Sequence, residues 1–268
     1  MLRKVMVSRV DTSKRTVEQE ADIVAEEAPL HIFVNQTHYA TILCLPNQLK
    51  ELAVGYLLSE GIIKTVEEIQ EIRVNKQGKC QVRLKSEINL AKRIAVAQPF
   101  ARIVLSSCGS ADYWPLPKLI DKLALPKLHA NFRVKAEVIS GAVRGLTSLA
   151  EVFCRTGGVH VAALFASDGK LVTYAEDVGR HNAVDKVIGT VAIKNLGFSD
   201  KFLASSGRLT GDIVLKAARV GIPVLASLSG AVSSGVEAAH LTGLTLIGFV
   251  RGTRMNIFSH PERIFLED

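Results

Sequence analysis

The strongest constraint on the fold is an alternation of short apolar runs and amphipathic segments in the C-terminal half. Apolar runs lie at 201–206, 222–229 and 244–250, and helical patterns lie between them at 210–221 and 233–243. Short runs bounded by small and polar residues are typical of strands, and apolar steps of three and four are typical of helices. Strands that alternate with helices build a sheet with helices on both faces. The sequence therefore predicts a layered α/β/α domain.

The segment before this alternation predicts a helix, a hairpin and a second helix. The first helix is indicated by apolar residues at helical steps, namely Ile139, Val143, Leu146, Leu149 and Phe153. A hairpin follows, with Asp168 and Gly169 in its turn. The second helix starts near residue 180 and runs to about 195, so that it leads into the alternating region.

Three predicted helix starts carry residues of the type that caps a helix. Asn47 precedes the first helix of the chain and can accept hydrogen bonds from its free N–H groups. Asn182 and Asp185 have the spacing of a capping box, with Asp in place of the usual Glu or Gln. Ser234 and Glu237 form a capping box of the usual composition.

The N-terminal part has a different organisation, in which hairpins surround one helix. Two strand-like runs flank a polar turn within 30–45, and a helix is predicted over 46–63 with Gly61 at its end. A second hairpin is predicted with its turn near Gln77 and Gly78. This pattern predicts a small mixed α/β unit.

The domain organisation follows from these patterns. We assign residues 1–105 to the small N-terminal domain, which ends in a short strand beginning at Val104, and residues 130–268 to the α/β domain. The stretch 106–129 is rich in proline and irregular, which favours a linker and a mobile loop that carries Cys108.

Composition restricts the class of protein and its partners. The chain has 268 residues, of which 48% are hydrophobic and 22% charged, as in an ordinary globular protein. It has no apolar run long enough to cross a bilayer and no secretory signal at its start, so we expect a cytoplasmic protein without a membrane partner. The net charge of +7 favours an anionic partner, but scattered basic residues and few aromatics disfavour nucleic acid.

Four cysteines are present, and no two of them form a C-x-x-C pair. A zinc ribbon and a dithiol redox site are therefore unsupported. Cys44, Cys80 and Cys154 lie in strand-like or helical patterns and are interpreted as structural fillers. Cys108 differs because Gly109 follows it in a loop, where an exposed thiolate could react. The alternative interpretation of Cys108 is a free thiol at the end of a strand with no task.

The ends of the predicted parallel strands are candidate binding positions. Ser206, Gly207 and Arg208 follow one strand and Ser229 follows the next, in both cases just before a helix. Small residues expose the backbone there, and helix N-termini favour phosphate groups. Ordinary tight turns would have the same composition. No P-loop or dinucleotide-binding glycine motif is present to decide between the two interpretations.

Two further features could take part in ligand binding. Residues 249–254 follow the last strand, and the two arginines there can form forked bonds to phosphate or remain as solvated surface charges. His181 lies at a helix start with Asp177 and Asp185 nearby in sequence, and His160 follows a pair of glycines. Each histidine could act as acid, base or ligand, or could serve a structural role. The order of elements resembles that of zinc deaminases, but their metal-binding motifs are absent.

Several long motifs resemble one family. They are "ELAVGYLLSEGII", "RTGGVHVAALF", "EDVGRHNAVDKVIG", "KAARVGIPVLASLS" and "GLTLIGFVRGTRMNIFSHPERI". In content and order they are similar to the formate dehydrogenase accessory sulfurtransferases of the FdhD/NarQ family. The resemblance implies a cytidine-deaminase-like α/β domain, a smaller N-terminal domain and a homodimer.

The resemblance also implies a function. Family members take persulfide sulfur from a cysteine desulfurase and pass it to the molybdenum of bis(molybdopterin guanine dinucleotide), which formate dehydrogenase then receives. The family's sulfur-carrying cysteine aligns with Cys108. Its cofactor-binding segment aligns with Phe249, Val250, Arg251, Gly252, Thr253 and Arg254. We add Ser206, Gly207, Arg208, Ser229 and His181 to the expected cofactor site, with GDP or GMP as a mimic of the cofactor and no structural metal.

One departure from the family pattern bears on mechanism. The family loop usually reads C-G-x-C-G, whereas Ala111 occupies the position of the second cysteine here. Cys108 must then carry sulfur alone, which is chemically sufficient because one thiolate can accept and release a sulfane sulfur. Two alternatives stay open. One is a chaperone that binds the cofactor without a persulfide step, and the other is a cysteine-dependent hydrolase with His160 or His181 as its base.

Overall fold

The computed structural model describes residues 1–101 and 131–266, together with Ile120, Leu125 and Leu128. The expected strand at Val104, the Cys108 loop and most of the predicted linker 106–129 lie outside the described residues. The sequence prediction for that part of the chain therefore stays a prediction. The mixed α/β class of the fold is confirmed by the elements that the structure describes.

The N-terminal part forms two sheets and two helices. Its elements are β1 Leu2–Asp11, β2 Thr16–Ala25, β3 Ala28–Val34, β4 Thr37–Cys44, α1 Leu49–Ser59, β5 Ile69–Val74, β6 Lys79–Leu84 and α2 Leu90–Ala101. Strands β1 and β2 pair only with each other, and a four-stranded sheet has the order β4-β3-β6-β5. The two predicted hairpins are confirmed, and Gly78 takes the positive φ of 75° that its turn requires.

The C-terminal part is built around a sheet of six strands. Its elements are β7 Val134–Lys135, α3 Ala136–Gly145, α4 Glu151–Thr156, β8 His160–Ala166, β9 Leu171–Asp177, α5 Arg180–Ile193, β10 Lys201–Ser205, α6 Gly211–Arg219, β11 Val224–Ser227, α7 Ser233–Thr242, β12 Thr245–Arg251, β13 Arg254–Ser259 and β14 Ile264–Phe265. The large sheet has the order β13-β12-β11-β10-β8-β9, in which β10, β11 and β12 are parallel.

The large sheet is covered by helices on both faces. Successive residues of β10 point into different cores, because side chains alternate along a strand. Leu203 packs in the core that includes Val184 of α5 and Ile213 of α6. Phe202 packs in the opposite core, which includes Ile139 of α3. The alternation of strands and helices in the sequence therefore corresponds to a sheet between two layers of helices. These layers hold the ends of the strands in position.

Helix α1 of the N-terminal part is packed directly against α5 of the C-terminal part. A Cβ atom on Gly55 would lie 1.7 Å from the backbone oxygen of Asp185, and one on Gly189 would lie 1.8 Å from that of Glu51. Only glycine is compatible with such a close backbone approach. The buried cluster on this side also joins Leu30 of β3 to Leu203 of β10, so the two predicted domains share a hydrophobic core.

Two buried lysines add polar links across the same junction. Lys216 Nζ lies 3.0 Å from a carboxylate oxygen of Asp185 and 3.0 Å from Glu60 Oε1. Lys186 Nζ lies 2.7 Å from Asp177 Oδ2, and both side chains are fully buried. Buried ions of this kind must be paired, because removal of one partner leaves a desolvated charge.

The hydrogen bond from Lys186 explains why Asn47 does not cap α1. The N-cap is Gln48, which makes no side-chain cap bond. The Asn47 side chain instead accepts a 2.6 Å hydrogen bond from Lys186 Nζ, which also donates to the Leu45 carbonyl at 3.0 Å. The cap prediction for Asn47 is therefore wrong because a buried ammonium group takes its oxygen.

The capping box expected for Asn182 and Asp185 is also wrong. Helix α5 has Gly179 as its N-cap, with no cap bond from that residue. Asp177 Oδ1 accepts hydrogen bonds from the Gly179 N–H at 3.0 Å and from Asn182 Nδ2 at 2.8 Å. Asp185 accepts a 2.7 Å bond from Ser59 Oγ inside the buried network.

Helix α7 lacks its expected capping box as well. Its N-cap is Val232, which makes no side-chain cap bond. Ser234 Oγ instead accepts a 3.3 Å hydrogen bond from the backbone N–H of Gly211, at the start of α6. The hydroxyl therefore links two neighbouring helix starts and does not serve its own helix.

The continuous helix predicted over residues 139–153 is broken into three pieces. Helix α3 ends at Gly145, a single 3₁₀ turn covers Thr147–Leu149, and Ala150 is extended with φ −103° and ψ 98°. The buried carboxylate of Glu176 then accepts hydrogen bonds from the first N–H groups of α4, at 3.2 Å from Val152 and 2.7 Å from Phe153. A partner distant in sequence therefore starts a new helix where the apolar pattern continues.

The sequence analysis missed the β1–β2 ribbon and strand β13. Met6, Val10 and Val17 on the ribbon are exposed, so burial gives no alternating signal there. The described residues include no helix with the length and apolar character needed to span a bilayer.

The glycine contact between α1 and α5 gives a direct stability test. Gly55→Ala places a methyl group against backbone that cannot move aside, and we expect a loss of at least about 1–3 kcal/mol in the free energy of unfolding. Urea titration followed by circular dichroism measures the change. Gly141→Ala in α3 is the control, because no atom lies within 4 Å of its added Cβ. That variant should gain up to about 1 kcal/mol. Equal effects of the two substitutions would contradict the packing described here.

Candidate functional site

The predicted binding residues meet at one edge of the large sheet. Strands β10 and β11 are parallel, and they end at Ser205 and Ser227. Ser206, Gly207 and Arg208 follow the first strand and Ser229 follows the second, as the sequence predicts. A further parallel bridge between Leu209 and Ala231 holds the two turns side by side.

Serine hydroxyl groups fasten these two turns to each other. Ser229 Oγ donates a 2.8 Å hydrogen bond to the backbone oxygen of Ser206. Ser227 Oγ lies 2.8 Å from the oxygen of Ser205 and 2.7 Å from that of Gly207. The backbone of the turns is thereby fixed, and the Ser229 hydroxyl has a structural partner in addition to any ligand.

Phe249 brings the third parallel strand to the same edge. Its backbone has a positive φ of 52°, beside an irregularity in the register of β12 and β13. Its N–H donates a 3.0 Å hydrogen bond to the oxygen of Ser229, and a Cβ on Gly230 would lie 2.5 Å from its ring. The ring is 45% exposed. A strained backbone that presents an aromatic ring beside a strand end is typical of a binding site.

The rest of the predicted 249–254 segment forms a tight hairpin and not an open loop. Val250 is buried, and Arg251 and Arg254 face each other across a turn in which Gly252 has φ 59°. Both arginines and Thr253 are exposed. Phe249 is linked to the Ser229 turn by a hydrogen bond and by packing against Gly230. Within the described part of the chain, no hydrogen bond links Arg251 or Arg254 to that turn. The arginines therefore lie at the tip of a projecting hairpin.

His181 has a partner that the sequence analysis did not identify. Asp177 and Asp185 were expected near it, but each is taken by a buried lysine. His181 Nε2 bonds instead to Asp212 Oδ2, in the first turn of α6, and Thr210 Oγ1 bonds to the other carboxylate oxygen.

Asp212 is ionised over most of the pH range. Burial raises the pKa of Asp212. Together, the hydrogen bond and charge of His181 and the hydrogen bond of Thr210 lower that pKa by more than burial raises it, and the Ile213 N–H adds a smaller lowering effect. The pKa of this carboxyl group therefore lies well below its usual range. The carboxylate consequently holds one ring nitrogen of His181.

His160 lies on the other side of the Ser206 turn. Its Nδ1 is 3.3 Å from Ser206 Oγ, and that hydroxyl also accepts a 3.0 Å hydrogen bond from the Val161 N–H. Burial lowers the pKa of His160, and the positive charges of Arg180, His181 and Arg208 lower it further, against a smaller opposing effect of Asp177. His160 is therefore mainly neutral near pH 7.

Of the three described cysteines, Cys44 and Cys80 are buried and Cys154 is exposed. Burial raises the pKa of Cys44 to about 11 and that of Cys80 to about 12, in agreement with a structural role. Cys154 is exposed on α4, so its interpretation as a core filler is wrong, and its sulfur lies 3.2 Å from the Thr147 oxygen. Cys108 lies outside the described residues. In the described part of the chain, no three His, Cys, Asp or Glu side chains are grouped closely enough to hold a metal ion.

The Asp212 carboxylate predicts a pH-dependent contribution to stability. A carboxyl group whose pKa is lowered by folding stabilises the protein above its unfolded pKa of about 4, and the contribution is lost as the pH falls below that value. We expect Asp212→Asn to cost about 1–2 kcal/mol at pH 7, with the difference from the wild type shrinking below about pH 4. Urea titrations at several pH values measure it. Asp168→Asn, in an exposed turn, is the control, and a pH-independent Asp212 effect would refute the assignment.

Comparisons with known proteins identify relatives along nearly the whole chain. A sulfur carrier protein FdhD from Sulfolobus acidocaldarius is 38% identical over 266 residues, which cover 99% of each chain. Another from Sulfurisphaera tokodaii is 36% identical over 267 residues, which cover 98% of this chain and 99% of the relative. A crystal structure of a putative formate dehydrogenase accessory protein from Desulfotalea psychrophila matches with a TM-score of 0.77 at 30% identity and covers 99% of both chains.

The family assignment rests on a match along most of the chain. The model of the FdhD/NarQ family matches residues 25–265, which include β3 through β14 and every residue of the candidate site. The motifs that suggested the resemblance all lie within that range. This chain belongs to the FdhD/NarQ family.

Proposed function

We propose that this protein is a sulfur carrier for formate dehydrogenase maturation. The transferred sulfur is bound to the Sγ atom of Cys108. The protein takes persulfide sulfur from a cysteine desulfurase and passes it to the molybdenum of bis(molybdopterin guanine dinucleotide). Relatives at 38% and 36% identity are named sulfur carrier proteins. The solved relative is described as a putative formate dehydrogenase accessory protein. These names support the role, and the site supplies the chemical argument.

The observation that carries the proposal is the cationic edge of the large sheet. Phe249 offers an exposed aromatic ring beside backbone turns that are fixed by serine hydroxyls. Arg180, Arg208 and His181 surround the half-buried His160 closely enough to affect its protonation. Aromatic rings stack on nucleobases and arginines bind phosphate oxygens. The edge therefore suits a substrate that combines a base with phosphate groups, as a pterin guanine dinucleotide does.

The covalent step needs one thiolate. The Cys108 thiolate attacks the outer sulfur of the desulfurase persulfide, so that a new S–S bond forms and the desulfurase thiolate leaves. Delivery breaks that bond and returns the Cys108 thiolate. The outer sulfur becomes a ligand of the molybdenum substrate, which supplies the two electrons that a sulfane sulfur requires. No second cysteine is needed in either step.

One sequence feature favours a second candidate. Ala111 stands where the family usually has its second loop cysteine, so a relay between two loop cysteines is absent from this chain. A chaperone that binds the cofactor without a persulfide step would tolerate that change. The two candidates differ in a single property, which is the need for the Cys108 sulfur.

The remaining parts of the proposal concern context. We place the protein in the cytoplasm as a homodimer, with a cysteine desulfurase and formate dehydrogenase as partners and no structural metal. We further assign its C-terminal part to the cytidine-deaminase-like folds. A central sheet with the order β13-β12-β11-β10-β8-β9 and helices on both faces supports that assignment.

Sulfur transfer gives the first functional prediction. Cys108→Ala should accept no label when the protein is incubated with a desulfurase and ³⁵S-labelled cysteine, and it should fail to restore formate dehydrogenase activity in cells that lack the native protein. Cys154→Ala is the control, because Cys154 is the exposed cysteine among the described residues. That control should keep both properties.

The same experiment separates the two candidates. A Cys108→Ala protein that matures formate dehydrogenase normally would establish the chaperone and refute the sulfur carrier. Normal labelling of that variant would place the persulfide on another residue.

The hairpin arginines give the second functional prediction. Arg251 and Arg254 are exposed and have no ion-pair partner among the described side chains, so they are free to meet phosphate oxygens. We expect the double variant Arg251→Ala and Arg254→Ala to lose about tenfold or more in GDP affinity, measured by calorimetry. The double variant Arg73→Ala and Arg83→Ala, in the separate four-stranded sheet, should bind GDP as the wild type does. If the hairpin variant binds GDP with unchanged affinity, the nucleotide does not bind at the hairpin and this placement is wrong.

A further inference from the structure

Arg180 lies against the turn after β10, although the sequence analysis gave it no role. It is the first residue of α5, and its side chain runs along Gly207. A Cβ on Gly207 would lie 2.8 Å from Arg180 Cβ and 3.0 Å from its Cδ. Glycine at this position therefore allows the arginine stem to lie directly on the turn. The contact fixes the stem of Arg180 against the turn that contains Ser206 and Arg208.

Among the described residues, no acidic side chain balances the positive charge of Arg180. Its Nε is buried and has no hydrogen-bond partner, and no carboxylate in the described part of the chain forms an ion pair with it or with Arg208. The nearby carboxylates are already in use, since Asp177 pairs with Lys186 and Asp212 pairs with His181. A buried donor without an acceptor is costly, and a bound anion would remove that cost.

His160 of β8 contacts the same turn through Ser206. Its Nδ1 lies 3.3 Å from Ser206 Oγ, so the ring is held near the backbone that Arg180 contacts. The charged and titratable groups that act on it are Arg180 and His181 from α5, Arg208 from the turn and Asp177 from β9. Three of these four groups are cationic or can become so.

We propose that Arg180, Arg208 and His160 form an oxyanion subsite for a diphosphate group. The inference rests on the proposed function, in which the diphosphate belongs to the dinucleotide cofactor and the base stacks elsewhere, on Phe249. One guanidinium group from α5 and one from the turn can hold two adjacent phosphates, whereas a monophosphate engages only one of them fully. His160 adds a hydrogen bond in its neutral form and a charge when protonated.

The subsite couples binding to the protonation of His160. The pKa of His160 is lowered in the free protein, first by burial and then by its cationic neighbours. A bound anion stabilises the imidazolium form and raises that pKa. By linkage, diphosphate must bind more tightly as the pH falls through this range. A purely structural arginine and histidine would show no such coupling.

The test uses inorganic pyrophosphate with the full chain. Calorimetry should show that Arg180→Ala weakens pyrophosphate binding by about tenfold to a hundredfold, with a smaller loss in Arg180→Lys. Arg73→Ala, in the separate four-stranded sheet, should match the wild type, and guanosine binding should be the same in all four proteins. In NMR titrations of the wild type, pyrophosphate should move the His160 pKa upward.

The opposite results would overturn the subsite. They are unchanged pyrophosphate affinity in both Arg180 variants, or a His160 pKa that does not respond to pyrophosphate. If Arg180→Ala fails to fold, Arg180→Lys and the wild-type titration decide the question. Sulfur labelling of the wild type with a desulfurase separates this inference from the sulfur-carrier role. Normal pyrophosphate binding without sulfur labelling in the wild type would keep the subsite and refute the carrier.

Discussion

The contact between α1 and α5 is the constraint on which the candidate site depends. Gly55 and Gly189 let the two helix backbones meet, and the buried pairs Lys216–Asp185 and Lys186–Asp177 fix polar groups at the same junction. Helix α5 begins at Arg180, so the position of α1 also sets where Arg180 and His181 reach the strand ends. The N-terminal part therefore helps to build the candidate site, because α1 holds the start of α5 in position.

The electrostatics of the site follow from that arrangement. Buried lysines and His181 pair with the carboxylates near α5, and no carboxylate among the described residues pairs with Arg180 or Arg208. The serine hydroxyls of the two turns are directed at backbone oxygens, so the turns keep their shape without a ligand. A fixed turn flanked by uncompensated cations is prepared for an anion, since little reorganisation is needed on binding.

The sequence predicted the parts of the fold that depend on local chemistry. The hairpins with turns at Gly78 and Gly169 have the positive φ values that such turns need, and the strand–helix alternation predicted a sheet with helices on both faces. Phe249, Ser206 and Ser229 were expected near one another because the ends of parallel strands share an edge, and hydrogen bonds link them there. These predictions use only neighbours in sequence or a general rule of topology.

The failures share one physical cause, which is competition from distant groups. Asn47 and Asp185 did not cap helices because buried ammonium groups bind them more strongly, and Glu176 starts α4 from another strand. Asp212 lies 31 residues from the histidine it holds, and nothing in the local pattern marks it. Arg180 could have been noticed only as a cation directly before His181 at a helix start. Such partners become visible when the chain is folded.

Mass spectrometry of Cys108 tests the central claim most directly. The intact protein is incubated with a cysteine desulfurase and cysteine, and the peptide that contains Cys108 is analysed without reductant. The sulfur-carrier account predicts one added sulfur atom on Cys108, which is lost on treatment with a reductant. An unmodified Cys108, from protein that still matures formate dehydrogenase, would contradict it.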